Sequence, residues 1–307
     1  MAAISRAQLL RELLPGLDAL FGMEYNRYEN EYAEIYTEHS SERSFEQDQK
    51  ITGFQTAPVK QEGSAILFDT AQEGYTATFV METISMGFAL TEEAFEDNLY
   101  GNLSARYSTE LGRAMRNTKE IKAAVPFNTG FTALASGGYG VGDGVPLFST
   151  SHPQVAGPVI ANTPSVAVDL NETSLEAATI QIAKWTDDRG KLINARVRKM
   201  FVAVDNQYVA TRVLDTQLQP GTANNDVNAI RVTAAVPEGF AVNHYFTDPD
   251  AWFLMTDVPN GAKYFNRVPV SQKTDGDFDT GNVRVAERER YAFGVADYLA
   301  LWGSPGA

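Results

Sequence analysis

Residues 91–125 read TEEAFEDNLYGNLSARYSTELGRAMRNTKEIKAAV. Phe95, Leu99, Leu103, Tyr107, Leu111 and Met115 recur every fourth residue, the spacing of one helix face. Thr91 is an N-cap residue type, with Glu92, Glu93, Glu96 and Asp97 after it. Arg113, Arg116, Lys119 and Lys122 crowd the other end, so the charge gradient complements the macrodipole. Pro126 is expected to stop the helix, which would then run roughly 50 Å at 1.5 Å per residue. Four residues turn a helix by about 400°, so the apolar line advances about 40° per step and its two ends must face different neighbours. Such an element is a spine, not a one-sided lid. Gly101 and Gly112 each cost about 1 kcal/mol relative to alanine, and a bend or break is expected near Tyr100–Gly101.

Upstream the period changes to two. In YTATFVMETISMGFAL the apolar residues fall on odd positions at Tyr75, Ala77, Phe79 and Met81, then on even positions at Ile84, Met86, Phe88 and Leu90. A one-residue slip sends side chains to the opposite face, so a bulge or bend is expected near Glu82–Thr83. The run would span roughly 50 Å, well beyond an ordinary strand. Before it, the polar EQDQKITGFQTAPVKQEGS leads into Ile66–Phe68 and a turn-like Ala71–Gly74. The simplest arrangement is a β-hairpin arm leaving the body and one strand re-entering it ahead of the spine. An isolated two-stranded ribbon is marginally stable in water, so a projecting arm implies a partner surface.

The 307 residues suffice for one large or two ordinary domains, and 44% hydrophobic with 21% charged residues marks an ordered globular chain. A net charge of -14 argues against a free-standing nucleic-acid binder, which needs clustered Lys and Arg. With no cysteine, neither disulfides nor thiolate metal sites are available. No apolar run approaches the roughly 20 residues of a membrane span. The start, MAAISRAQLLRELLPGL, carries Arg6, Arg11 and Glu12 and lacks a signal-peptide core, which predicts a protein made and kept in a cytoplasm. Leu9 to Leu20 suggest a short amphipathic helix interrupted at Pro15–Gly16, and Tyr25, Tyr28, Tyr32, Ile35 and Tyr36 follow. This arm is too small for its own core, so it packs on its own domain or on another chain.

Residues 128–164 are rich in Gly and Pro and read as a domain boundary. Asp169–Gly190 reads as a helix with Leu175, Ala178, Ile182 and Trp185 on one face, and Val197–Val204 as a strand. Asp205 is the expected cap of a helix over Gln207–Thr216. Val227–Val236 and Tyr245–Met255 look strand-like, and the tail NVRVAERERYAFGVADYLALWG reads as a second long strand. Its alternation puts Arg284, Arg288 and Arg290 on one face and Glu287 and Glu289 on the other. Two readings stand: a solvated strand edge, or a charge seam between subunits.

The search for catalysis is negative. His39, His152 and His244 lack metal-ligand spacing, and no G-x-S-x-G elbow occurs. Ser149, Thr150, Ser151 and His152 are adjacent, but adjacency does not make a triad; His152 before Pro153 reads as a turn-stabilising residue. SGGYGVGDG lacks a phosphate-loop ending and reads as flexible. Asp275, Asp277 and Asp279 imitate half a calcium loop, but the glycine falls late and Ala286 occupies the twelfth place, so a surface turn is expected. No catalytic, cofactor or metal residue is assigned.

The order of features, with FDTAQEGYTATF, GFALTEEAFEDNLYG, GVPLFSTSHP and ERYAFGVADYLALWGS, resembles the tailed-phage major capsid proteins of Hong Kong 97-like fold over nearly the whole chain. The resemblance implies an α+β fold with an N-terminal arm at 1–44 and an extended β-hairpin loop at 45–85. It also implies a peripheral domain at 86–149 and 251–307 with its spine helix at 91–125, and an axial domain at 150–250. It implies pentamers and hexamers in an icosahedral shell around double-stranded DNA, in a virion assembled in the host cytoplasm. The partners implied are the chain itself, a portal protein, and a possible decoration or cement protein. No membrane and no cofactor are implied. A scaffolding protein would be separate, because the chain has no room for a cleaved scaffolding region. Some members cross-link a loop lysine to an asparagine; Lys50 and Lys60 lie in the matching loop, but no motif names an asparagine and the cross-link is not carried over. The residues assigned to an assembly interface are Lys50, Lys60, Glu62, Arg284, Glu287, Arg288, Glu289 and Arg290. The alternatives are an encapsulin-like nanocompartment subunit, a soluble α/β hydrolytic enzyme, or a sugar-binding module needing an exposed Trp185, Trp252 or Trp302.

Overall fold

The computed structural model describes residues 19–91, 101–218, 227–276 and 282–307. Within them the spine is α1, Gly101–Asn128, 28 residues long or about 42 Å. The expected N-terminal part, with Phe95 and Leu99, lies outside the described residues. Pro126 sits inside the helix and does not stop it. In the last turn the ring removes one backbone donor, and Thr129 N still donates to Val125 O at 3.0 Å. The winding stripe has the expected consequence. Leu111 and Met115 pack with Phe21 and Tyr25, whereas Ala123, Ala124 and Phe127 enter the main core. Tyr107 is exposed, its ring 5.7 Å from Phe88. Gly112 has a packing reason, since a Cβ there would meet Phe21 O at 3.1 Å.

The strands form three sheets. One has β1 (Thr37–Ser40), β8 (Ala262–Gly276), β9 (Val283–Val295) and β4 (Glu82–Leu90), in that order. β1 pairs parallel to β8, and β9 pairs antiparallel to both β8 and β4. A second has the order β10 (Leu301–Ser304), β7 (Trp252–Thr256), β5 (Val197–Ala203) and β6 (Phe240–Asn243). The third is the two-stranded hairpin of β2 (Phe45–Ile51) and β3 (Glu73–Val80). The phase slip is where the chain changes sheet: β3 ends at Val80, β4 begins at Glu82, and Met81 is buried between them. The outgoing strand of the hairpin is the polar Phe45–Ile51, not Ile66–Phe68, which carries no strand.

The tail differs from the single long strand expected. It divides at a 3-10 turn, Tyr298–Ala300, whose Asp297 cap accepts from Leu299 N at 3.0 Å, so β9 and β10 serve different sheets. α2 (Glu172–Ala183) buries Leu175, Ala178 and Ile182, with Trp185 beside them, and is closed by an Asn171/Ser174 capping box. α3 spans Gln207–Asp215; its cap position is Asn206, and Asp205 makes no cap. Over the strand expected at Val227–Val236 lies α4, Ala229–Val232, because the Asn228 side chain accepts from Ile230 N and Arg231 N and starts a helical turn. Residues 19–25 are helical, and the described part of the arm packs on its own chain, Phe21 and Tyr25 on α1, Ile35 and Tyr36 in the main core; the helix expected over Leu9–Leu20 lies largely outside the described residues.

The main core joins α1, α2 and the second sheet through Phe127, Phe148, Phe253 and the Trp252–Trp302 pair, whose ring centroids are 4.7 Å apart. All three tryptophans are buried, which removes the sugar-binding alternative. The glycine run is packed, not flexible. Tyr139 Oη accepts from Val295 N at 2.8 Å, Val141 is buried, and Gly142 has φ +106° with its Cβ position 2.4 Å from Thr76 O. Only glycine fits that approach. Asp277 and Asp279 lie outside the described residues.

Candidate functional site

The hairpin has a charged root and an apolar end. Along β2 the inward positions are Glu46, Asp48 and Lys50, and each finds a partner. The Ser41 hydroxyl donates to Glu46 at 2.7 Å, Lys263 pairs with Asp48 at 2.6 Å, and Lys50 pairs with Asp297 at 3.0 Å. Lys50 Nζ also lies 4.4 Å from the Tyr298 ring centroid. Next comes a neck, where Thr52 N donates to Gln72 O at 2.9 Å and Gln72 N donates to Thr52 Oγ1 at 2.8 Å. Gln55 N donates to Asp69 at 2.7 Å and holds that carboxyl below its ordinary range, while Arg189 donates to Thr70 O at 2.7 Å.

Beyond the neck Lys60 and Glu62 are exposed, as are Phe54, Val59, Ile66, Leu67 and Phe68; Val59 is 94% and Phe68 89% exposed. Phe45 and Val80, directly opposite across the hairpin, are exposed as well. Single exposed apolar residues need no explanation, but this many on one arm mark an interaction surface. Lys50 is thus a root clamp within the subunit, set apart from Lys60 and Glu62.

On β9 the two faces separate as the alternation requires. On one face Arg284 is exposed and Arg288 and Arg290 are half-buried, whereas on the other Glu287 and Glu289 are each 1% exposed. The strand is flanked by β8 and β4, so the solvated-edge reading is corrected. The two glutamates are enclosed by their own chain, and only the arginine face can contribute to a surface seam.

Beneath that sheet lies a buried pair that sequence reading missed. Lys119 Nζ of α1 is 3.6 Å from Glu289 Oε2. Tyr25 links them, accepting from Lys119 Nζ at 3.2 Å and donating to Glu289 Oε2 at 3.0 Å. The ring centroids of Tyr32, Tyr264 and Tyr291 lie 5.3, 4.9 and 5.3 Å from the ammonium. Burial pulls the Lys119 ammonium below its usual range and pushes the Glu289 carboxyl above its own, each opposed by the other's charge. One position along, the buried Glu120 carboxylate accepts from Glu31 N at 3.0 Å and Tyr32 N at 3.1 Å. Glu120→Ala should cost about 2 kcal/mol by leaving those amides unpaired, read as a lower denaturation midpoint. An unchanged midpoint would show that the arm does not need this anchor.

His152 is also fully buried. Its Nδ1 lies 2.6 Å from Asp143 Oδ2, its Nε2 3.0 Å from Asn162 Oδ1, and its ring stacks on Tyr298 at 3.9 Å. Asn162 donates from Nδ2 to Leu147 O, Tyr298 O and Leu301 O, and accepts from Ser149 N. This is a brace between the glycine-rich loop and β10, with neither a nucleophile beside the imidazole nor an opening to solvent. The His39 ring lies tilted against Phe265 with centroids 5.5 Å apart, and His244 Nδ1 is 2.7 Å from Glu31. Among the described residues no group of three His, Cys, Asp or Glu side chains could hold a metal, and no helix is long and apolar enough to cross a membrane.

A profile of the family described as phage capsid protein matches residues 74–303. No curated protein matches the chain in sequence. Among solved structures, the capsid of an empty GTA particle is similar with a TM-score of 0.55 at 13% identity, covering 91% of this chain and 90% of that one. The capsid of the Cyanophage P-SCSP1u gives a TM-score of 0.55 at 11% identity, covering 89% and 86%. The virus-like particle from Pyrococcus furiosus gives 0.53 at 8% identity, covering 95% and 99%. At these identities the likeness is one of fold.

Proposed function

Because the chain belongs to the phage capsid protein family, and so is a structural, non-enzymatic shell protein of the virion, we propose that it forms pentamers and hexamers of an icosahedral tailed-phage head around double-stranded DNA. The observation that carries this reading is the hairpin arm. Its root is clamped to the body by Lys50–Asp297 and Lys263–Asp48, while its end offers apolar side chains to solvent. An arm braced at one end and apolar at the other is built to lie on a neighbouring subunit. Lys60, Glu62 and the arginine face of β9 are the polar part of the same contact, and Lys50 sets the angle of the arm.

In this reading 1–44 is the N-terminal arm, 45–85 the extended loop, 86–149 with 251–307 the peripheral domain, and 150–250 the axial domain. Assembly takes place in the host cytoplasm with a separate scaffolding protein and a portal, and a decoration protein is a possible later partner. DNA is contacted without sequence preference, consistent with a subunit of net charge -14 that does not grip phosphate tightly. Electron microscopy of the purified chain, alone and with a candidate scaffolding protein, tests the proposal. Closed shells or capsomers are expected; a persistent monomer under both conditions would overturn it.

A further inference from the structure

We propose that residues 19–30 are a releasable strap, hinged at Glu31–Tyr32, whose docking on α1 is kept weak by the Lys119–Glu289 ion pair sealed beneath Tyr25. The inference rests on contacts within one chain and does not depend on the shell reading.

The two halves of the arm are held very differently. Ile35 and Tyr36 belong to the main core, and the Tyr36 hydroxyl donates to Ala123 O at 2.6 Å. Glu120 pins the backbone at Glu31 and Tyr32. Among the described residues ahead of that pin, only Phe21 and Tyr25 are buried, in a satellite cluster with Leu111 and Met115. The Tyr25 hydroxyl bonds Lys119 and Glu289 beneath it, and the other named ties are at the surface: Glu24 to Arg113 at 2.6 Å, and Arg116 to Glu29 O at 2.6 Å. Exposed pairs of this kind contribute little. A segment with few buried apolar contacts and exposed polar ones is the part of a fold that opens first.

What lies under the strap weakens it further. Docking Tyr25 removes an ammonium and a carboxylate from water. Their 3.6 Å separation is long for a buried pair, and Glu289 Oε1 and the Tyr291 hydroxyl have no hydrogen-bond partner among the described residues. A buried pair recovers its desolvation only when geometry and hydrogen bonding are complete, and apolar replacements of similar volume are often neutral or stabilising. The depressed ammonium and raised carboxyl point the same way, since both mark the charged forms as disfavoured in the docked state. An apolar site here would hold the strap tightly. This one lets it go, with Glu120 as the pivot.

Hydrogen exchange followed by mass spectrometry on the full chain decides the matter. In Tyr25→Phe/Lys119→Met/Glu289→Leu, which removes the pair together with the hydroxyl it would otherwise leave buried and unpaired, amides of 19–30 should exchange about tenfold more slowly than in the parent, while those of 31–36 and α1 stay unchanged. Unchanged or faster exchange in 19–30 would overturn the proposal, because the pair would then be holding the strap down. Gly112→Ala gives a second reading that leaves the pair intact. Its methyl would press on Phe21 O, 3.1 Å from the Cβ position, and should speed exchange in 19–30 alone. Equal acceleration through residue 36 would remove the hinge.

Discussion

Excising residues 55–62 should abolish closed shells and leave a folded subunit. The removed segment carries Val59, Lys60 and Glu62, all exposed, and its named ties to the rest of the chain are the Gln55 amide on Asp69 and the Ser64 amide and hydroxyl on Gln61 O, all at the exposed loop. The neck bonds between Thr52 and Gln72, the Arg189 contact to Thr70 and the root clamps all lie outside the cut. Shortening an exposed loop changes its closure entropy by only about 1 kcal/mol or less, so the denaturation midpoint should hardly move. Assembly is another matter. A contact repeated at every subunit multiplies its loss over the whole shell, so closed particles in micrographs should fall below detection while soluble protein persists. Normal shells from the deletion would show that the end of the arm is not a contact.

The sequence carried the order of elements well because its periodic signals were strong. The slip between Met81 and Ile84 located the change of sheet to within a residue or two, and the fourfold stripe foretold that the two ends of α1 meet different partners. β2 was illegible for a physical reason: its inward residues are Glu46, Asp48 and Lys50, which pair with charges instead of packing in a core. The burial of Glu289 was legible in principle, because Val283, Val285 and Tyr291 share its face. The same holds for Lys119, which continues the line Leu111, Met115 and leads to Ala123. Reading charge as a surface property hid both. The glycine loop misled differently, since composition reports the freedom of Gly142 but not the Thr76 carbonyl that requires it.

The brace at Asn162 should prove the most sensitive single side chain in the described core. Its Nδ2 serves three carbonyls, Leu147 O, Tyr298 O and Leu301 O, at 2.8, 3.2 and 3.2 Å, and its Oδ1 accepts from Ser149 N and faces His152 Nε2. These donations to carbonyls fix which end of the amide is which, so Oδ1 is the acceptor and His152 Nε2–H the donor. Asn162→Ala strips partners from several groups where water is excluded. At about 1–3 kcal/mol for each buried polar group left unmatched, the loss should reach on the order of 4 kcal/mol. Asn162→Asp separates hydrogen bonding from volume: it keeps the size but turns a second oxygen toward the three carbonyls, so it should be at least as damaging. Urea denaturation of the purified subunit measures both, with the exposed Ser151→Ala as a control near zero. If Asn162→Asp unfolds at the parental midpoint, the brace is not what joins the glycine-rich loop to β10, and the packing of Leu147 and Phe148 must hold that loop alone.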